Sequence, residues 1–143
     1  MLVDAIKSLF NPRVAMKETE AKCIGFAGEI AAKKYLKKIG YKILKTNWSY
    51  KNYEIDIIGL DGEILVFVEV RTRSSDALVN GYDSITRKKR ESLKIAFNAY
   101  LAKIGYVKHH RFDVVDVSMD KIDNTLELRH FENIPLWQSQ GYY

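Results

Sequence analysis

Two apolar runs with a few charged residues set into them dominate the pattern of this chain. Tyr53 to Leu60 and Glu63 to Arg71 read as strands at about 53–60 and 63–71, joined by Asp61-Gly62, a strong hairpin signal. With Asp61-Gly62 as a two-residue turn, Leu60 pairs with Glu63, Ile58 with Leu65, Asp56 with Phe67 and Glu54 with Glu69. Side chains two apart share a face. Glu54, Asp56, Glu69 and Arg71 are thus expected on one face, at the end away from the turn. Like charges set opposite one another destabilise a sheet, so three carboxylates there predict a cation between them.

The rest of the pattern supplies the frame. Asn11-Pro12 breaks a first short helix. A longer helix is expected from about Ala15 to Ile39, with Ile24, Ala27/Gly28, Ala31, Tyr35 and Ile39 as its apolar stripe and Gly40 as its stop. Glu29 follows Gly28, where a missing side chain admits close approach of another element. Tyr41 to Trp48 reads as a strand. Residues 72–84 form a polar loop of a length usually reserved for function. Ser84 or Asp83 caps a helix at about 85–104, with Leu93, Ala96, Phe97, Tyr100 and Leu101 on its core side and Gly105 at its end. Arg111 to Met119 and an edge-like Leu126 to Phe131 complete the strands. The order α-β-β-β-α-β-β predicts an α/β protein, a central mixed β-sheet flanked by helices. No repeat or linker divides the 143 residues. A helical extension is expected over 1–20, the main domain over 21–132 and a tail over 133–143.

Composition narrows the class. With 47% hydrophobic and 29% charged residues the chain is ordinary for a globular domain. It has no apolar run of about 18 residues, and Met1 to Phe10 lacks a signal-peptide core, so no membrane association is expected. The single cysteine, Cys23, excludes an internal disulfide and suits a reducing, cytoplasmic setting. No Cys/His zinc spacing is present.

The net charge of +5 is unevenly spread. Residues 33–51 hold seven lysines and no acid, whereas residues 113–132 hold six acids against Lys121 and Arg129. A basic surface flanking a compact acidic cluster suits a polyanion held against bound metal. Arg87-Lys88-Lys89-Arg90 opens a helix, where cations oppose the helix dipole; phosphate contact gives them a purpose. Trp48 and Tyr50, beside Lys45 and Lys51, could stack on exposed bases, edge packing being the plainer reading.

Hard divalent cations such as Mg²⁺ or Mn²⁺ take oxygen ligands, typically one or two carboxylates with water and substrate phosphate. Asp56 and Glu69 are the candidate ligands, with the Val70 backbone carbonyl as a third. Arg71 shares Glu69's face and can grip a phosphate with two donors.

Asp56 and, thirteen residues on, Glu69-Val70-Arg71 resemble the PD-(D/E)XK nuclease motif. Gly28-Glu29, Glu54 to Ile58, Val66 to Arg73 and Arg111-Phe112-Asp113-Val114-Val115 extend the likeness. Together, over about residues 22–131, they resemble the YraN-like family of uncharacterised predicted endonucleases, related in fold to archaeal-type Holliday-junction resolvases. The resemblance implies a restriction-endonuclease-like fold and Mg²⁺- or Mn²⁺-dependent hydrolysis of DNA, branched or otherwise structured, leaving a 5′-phosphate. It makes Asp56, Glu69 and Arg71 catalytic, and Asp56, Glu69, Val70 and Glu29 metal-binding. Arg71, Arg73, Arg87, Lys88, Lys89 and Arg90 would contact nucleic acid. Lys89 falls where the family keeps a polar or basic residue on the second helix. Two departures stand out. Ile55 occupies the proline-like position. Arg71 stands where related nucleases carry lysine, and a guanidinium cannot act as a base, so it is expected to clamp phosphate. Many duplex-cutting relatives use two sites, hence an expected homodimer. Two other readings stay open: a nucleic-acid-binding module that keeps the fold without turnover, and a protein–protein adaptor.

Overall fold

The computed structural model describes residues 12–74, 85–120, 122–123 and 125–136, with side chains from Glu20 onward except at Ser74. The expected first helix, most of the 72–84 loop, the caps proposed at Asp83 and Ser84 and the tail from Trp137 lie outside the described residues. The elements are α1 (Pro12–Lys38), β1 (Lys42–Tyr50), β2 (Tyr53–Asp61), β3 (Ile64–Ser74), α2 (Arg87–Ile104), β4 (His110–Met119) and β5 (Leu126–Phe131). They form one five-stranded sheet in the order β1-β2-β3-β4-β5. The β3–β4 pair is parallel and the others antiparallel. The mixed sheet and the order α-β-β-β-α-β-β agree with the sequence pattern. The connection that makes β3 and β4 parallel contains α2, as such a crossover requires.

Among the described residues, one helix covers each face. On one side Leu93, Ala96, Phe97 and Tyr100 of α2 pack on Ile55, Ile58, Leu65, Phe67, Phe112 and Val114. Phe67 and Phe97 stack with ring centroids 4.3 Å apart. On the other side Ala32 and Leu36 of α1 pack on Ile57, Val66, Val68, Val115 and Val117. The central strands are therefore apolar on both faces, which is why their sequences read as near-continuous runs.

Four expectations change. The buried line of α1 is Gly28, Ala32 and Leu36; Ile39 is 44% exposed. The long spacing Gly28–Ala32–Leu36 follows the i, i+4 row that faces the sheet. Thr86, rather than Ser84 or Asp83, caps α2, its side chain accepting from the Lys89 N–H at 3.1 Å. Strand β3 extends to Ser74, taking Thr72 and Arg73 out of the expected loop.

The hairpin register also differs. Asp61 pairs with Ile64, Leu60 with Leu65 and Ile58 with Phe67, so the turn is Gly62-Glu63 and Asp56 does not face Phe67. Gly62 has φ 59. The positive φ thus falls at the first central position of the turn, where a type II′ turn places glycine. The slip is two residues, so Ile58, Leu65 and Phe67 keep the face they were expected to share.

Candidate active site

The site forms where β2 parts from β3. Their ladder stops at Ile57–Val68, and one more step of that register sets Asp56 against Glu69. The Asp56 carboxylate takes the ladder's place: the Val70 N–H donates to its Oδ2 at 2.8 Å. A strand residue presents its N–H and carbonyl to the same side, so the Val70 carbonyl opens toward Asp56 as well.

Strict alternation fails at this point. Ile55 and Ile58, three apart, both pack on the α2 side, while Ile57 packs on the α1 side. The irregularity separates the acids expected on one face. Glu54 lies toward α1: with its amide nitrogen turned inward, Asn47 donates to Glu54 Oε1 at 3.1 Å and to Glu29 Oε2 at 3.2 Å. Asn47 has φ 51, a left-handed conformation that asparagine tolerates better than most residues. Sequence reasoning passed over it. An asparagine inside a strand pattern was the available signal.

Glu69 is 4% exposed. Lys89, in the first turn of α2, brings its Nζ to 3.2 Å from Glu69 Oε1. The other oxygen, Oε2, is buried and meets no hydrogen-bond partner among the described residues. Burial, with the Asp56 charge added, holds the Glu69 carboxyl well above the usual carboxylate range, against the pull of Lys89. Burial raises Asp56 too, opposed by the Val70 N–H, Lys89 and Arg71. Burial raises Glu29, with Asp56 and Glu54 adding to it and the Asn47 hydrogen bond opposing. Two buried carboxyls of one sign hold a proton more readily than either alone.

The remaining candidates divide. Arg71 is half-buried, close enough to favour the charged form of Asp56. Arg73 grips Asp116, its Nε and Nη2 donating to Oδ1 and Oδ2 at 3.3 and 2.8 Å. Asp116, opposite Arg71 on β4, went unremarked in the sequence because nothing local marks it. Arg87 and Lys88 are exposed. Arg90 donates to the carbonyls of Ile85 and Pro135, each at 3.3 Å. Gly28 packs against Thr72; a Cβ there would overlap the Thr72 side chain, coming within 3.0 Å of its Cβ. That close approach brings Glu29 to the site.

Among the described residues no three His, Cys, Asp or Glu side chains gather as a metal-holding group. Two carboxylates, Asp56 and Glu69, stand at the site with the Val70 carbonyl on the same side. None of the described helices is long and apolar enough to cross a membrane.

Fold and site together define an α/β protein with a buried carboxylate pair at an opening in its sheet. The profile of Uncharacterised protein family UPF0102 matches residues 28–117, and the chain belongs to that family. The likeness to the YraN-like family read from the motifs is thereby shown. The chain is 36% identical over 111 residues to a UPF0102 protein of Carboxydothermus hydrogenoformans, covering 78% of this chain and 93% of that one. It is 39% identical over 113 residues to one of Pelotomaculum thermopropionicum, covering 78% and 94%. A third, from Hahella chejuensis, is 44% identical over 93 residues, covering 64% and 75%.

Proposed function

We propose that the chain is a divalent-cation-dependent endonuclease that hydrolyses phosphodiester bonds in DNA, branched or otherwise structured. The observation that carries this is Glu69 Oε2, a buried carboxylate oxygen with no hydrogen-bond partner among the described residues, beside a second buried carboxyl. Ionising so deeply buried a carboxyl is costly even with Lys89 on its other oxygen, and a cation would lower that cost. Asp56, Glu69 and the Val70 carbonyl are oxygen donors of the kind Mg²⁺ or Mn²⁺ takes, with water and a substrate phosphate filling the rest. Glu29 stands behind them, held by Asn47. When bound, such an ion lowers the pKa of water and neutralises charge building on the phosphate.

The chain's own groups do the rest. Arg71 lies beside the pair with donors suited to a phosphate. Lys89 holds Glu69 in place and keeps positive charge at the mouth of the site. Exposed Arg87 and Lys88, and the lysines of residues 33–51, attract the backbone. Cleavage of both strands of a duplex would take two such sites, so a homodimer on cytoplasmic DNA belongs to the same proposal.

The test is cleavage of linear, nicked and four-way-junction DNA with Mg²⁺, Mn²⁺ or EDTA. The expected result is metal-dependent cutting by the wild type, reduced to background by Asp56→Ala and by Glu69→Ala. Binding without cleavage under every condition would overturn the enzyme and leave a DNA-binding module.

A further inference from the structure

Beyond the ladder's end, β2 pairs among the described residues with β1 alone, through Trp48–Ile55, Ser49–Glu54 and Tyr50–Tyr53. Two aromatic side chains lie along this corner. Trp48 is anchored, its ring edge-on to the buried Tyr100 at 5.1 Å. Tyr50, two residues on, holds its ring within 5° of parallel to Trp48 at 6.5 Å and is 38% exposed. Lys51 places its Nζ 5.4 Å from the centre of the Tyr50 ring, after a backbone turn with φ 53. The corner thus offers parallel aromatic rings with a cation beside them, one partly open to solvent.

Tyr50 pairs with Tyr53, three residues before Asp56. At about 3.3 Å per residue, the platform lies about 10 Å along the strand from the carboxylate pair, a span of a nucleotide or two. Trp48 packs on the α2 side of the sheet, the side from which Lys89 meets Glu69.

We propose that Trp48, Tyr50 and Lys51 form a stacking site for an unpaired DNA base, seated beside the carboxylate pair. The class of ligand rests on the nuclease reading; the site itself rests on the ring geometry. Every nucleobase has a face to stack, so the platform selects for an unpaired base and tolerates any sequence. A base in an intact duplex is already stacked on both faces and cannot use it. The substrate class is therefore DNA with a single-stranded or splayed segment next to the bond that is cut.

The experiment measures binding, in EDTA and low salt, of a single-stranded oligonucleotide carrying 2-aminopurine and of a blunt duplex. Wild type should quench the 2-aminopurine. Tyr50→Ala should lose the quenching and bind the single strand about 5- to 100-fold more weakly, lowering the single-strand to duplex affinity ratio. Tyr50→Phe, which keeps the ring, should restore both. Wild-type single-strand affinity and quenching in Tyr50→Ala would overturn the platform and leave the nuclease reading standing. Absence of any DNA binding by the wild type would overturn both.

Discussion

Two buried carboxylates in this protein respond to pH in opposite directions. Glu69 is raised by burial and by Asp56, so the folded state holds a proton that the unfolded state releases. Its contribution favours folding below its unfolded pKa and is lost as pH rises through the folded value. Asp113 is likewise penalised by burial, yet donors from His130, Arg111 and the Asn133 N–H bring it below its usual value. Its contribution is present above the unfolded pKa and is lost as pH falls. Glu69→Gln should therefore stabilise the apo protein by about 1–3 kcal/mol at pH 8 and by little at pH 4, as urea midpoints would register. Added Mg²⁺ should stabilise wild type at pH 8 but not Glu69→Gln. Equal denaturation midpoints for both proteins at pH 8 would sink the account of a carboxyl that burial penalises more than Lys89 compensates. Asp113→Ala should cost about 3–5 kcal/mol, because Arg111 and its neighbours lose a buried partner.

Among the elements, the contact of α1 with β3 is the most sensitive to a single atom. Gly28→Ala should destabilise by about 1–3 kcal/mol through overpacking on Thr72, and Thr72→Ala should recover part of that in a double mutant. A thermal melt of the four proteins checks both. The elements themselves were legible, since apolar runs, Gly40, Gly105 and the Asp61-Gly62 signal marked nearly every boundary. The hairpin register was not. Sliding the strands by two residues buries Ile58, Leu65 and Phe67 in either arrangement, so the apolar pattern cannot choose; the turn does. Nor could strict alternation foresee the irregularity across Asp56 that sends Glu54 toward α1. The nearness of Asp56 to Glu69 was legible, though as a diagonal rather than a direct pair, because it depends on two short stretches of one hairpin. Asn47 and Asp116 were not, because they arrive from β1 and β4 through contacts far apart in sequence.

At the scale of the whole molecule, the buried Asp113 ties several elements together. Arg111 Nε donates to its Oδ1 at 2.9 Å and the Tyr41 hydroxyl to Oδ2 at 3.2 Å, while His130 Nε2 lies 2.9 Å from Oδ2. Arg111 also reaches Asp61 at the hairpin end, 2.9 Å away. This network runs from the β2–β3 hairpin end to Asp113, one rung short of the Glu69–Val114 pair, and the carboxylate pair lies just past it, where the β2–β3 ladder has ended. DNA affinity should depend on the basic surface around the carboxylates. Lys88→Gln should weaken binding evenly across sequences and lower the salt slope by about one, as titrations at several salt concentrations would reveal. The early halt of the β2–β3 ladder makes the sheet a fork whose two-stranded prong, from Trp48 to Ile55, swings on fewer bonds than the blade behind it. Amide protons at Ser49 and Glu54 should trade with deuterium sooner than those at Val66 and Val68.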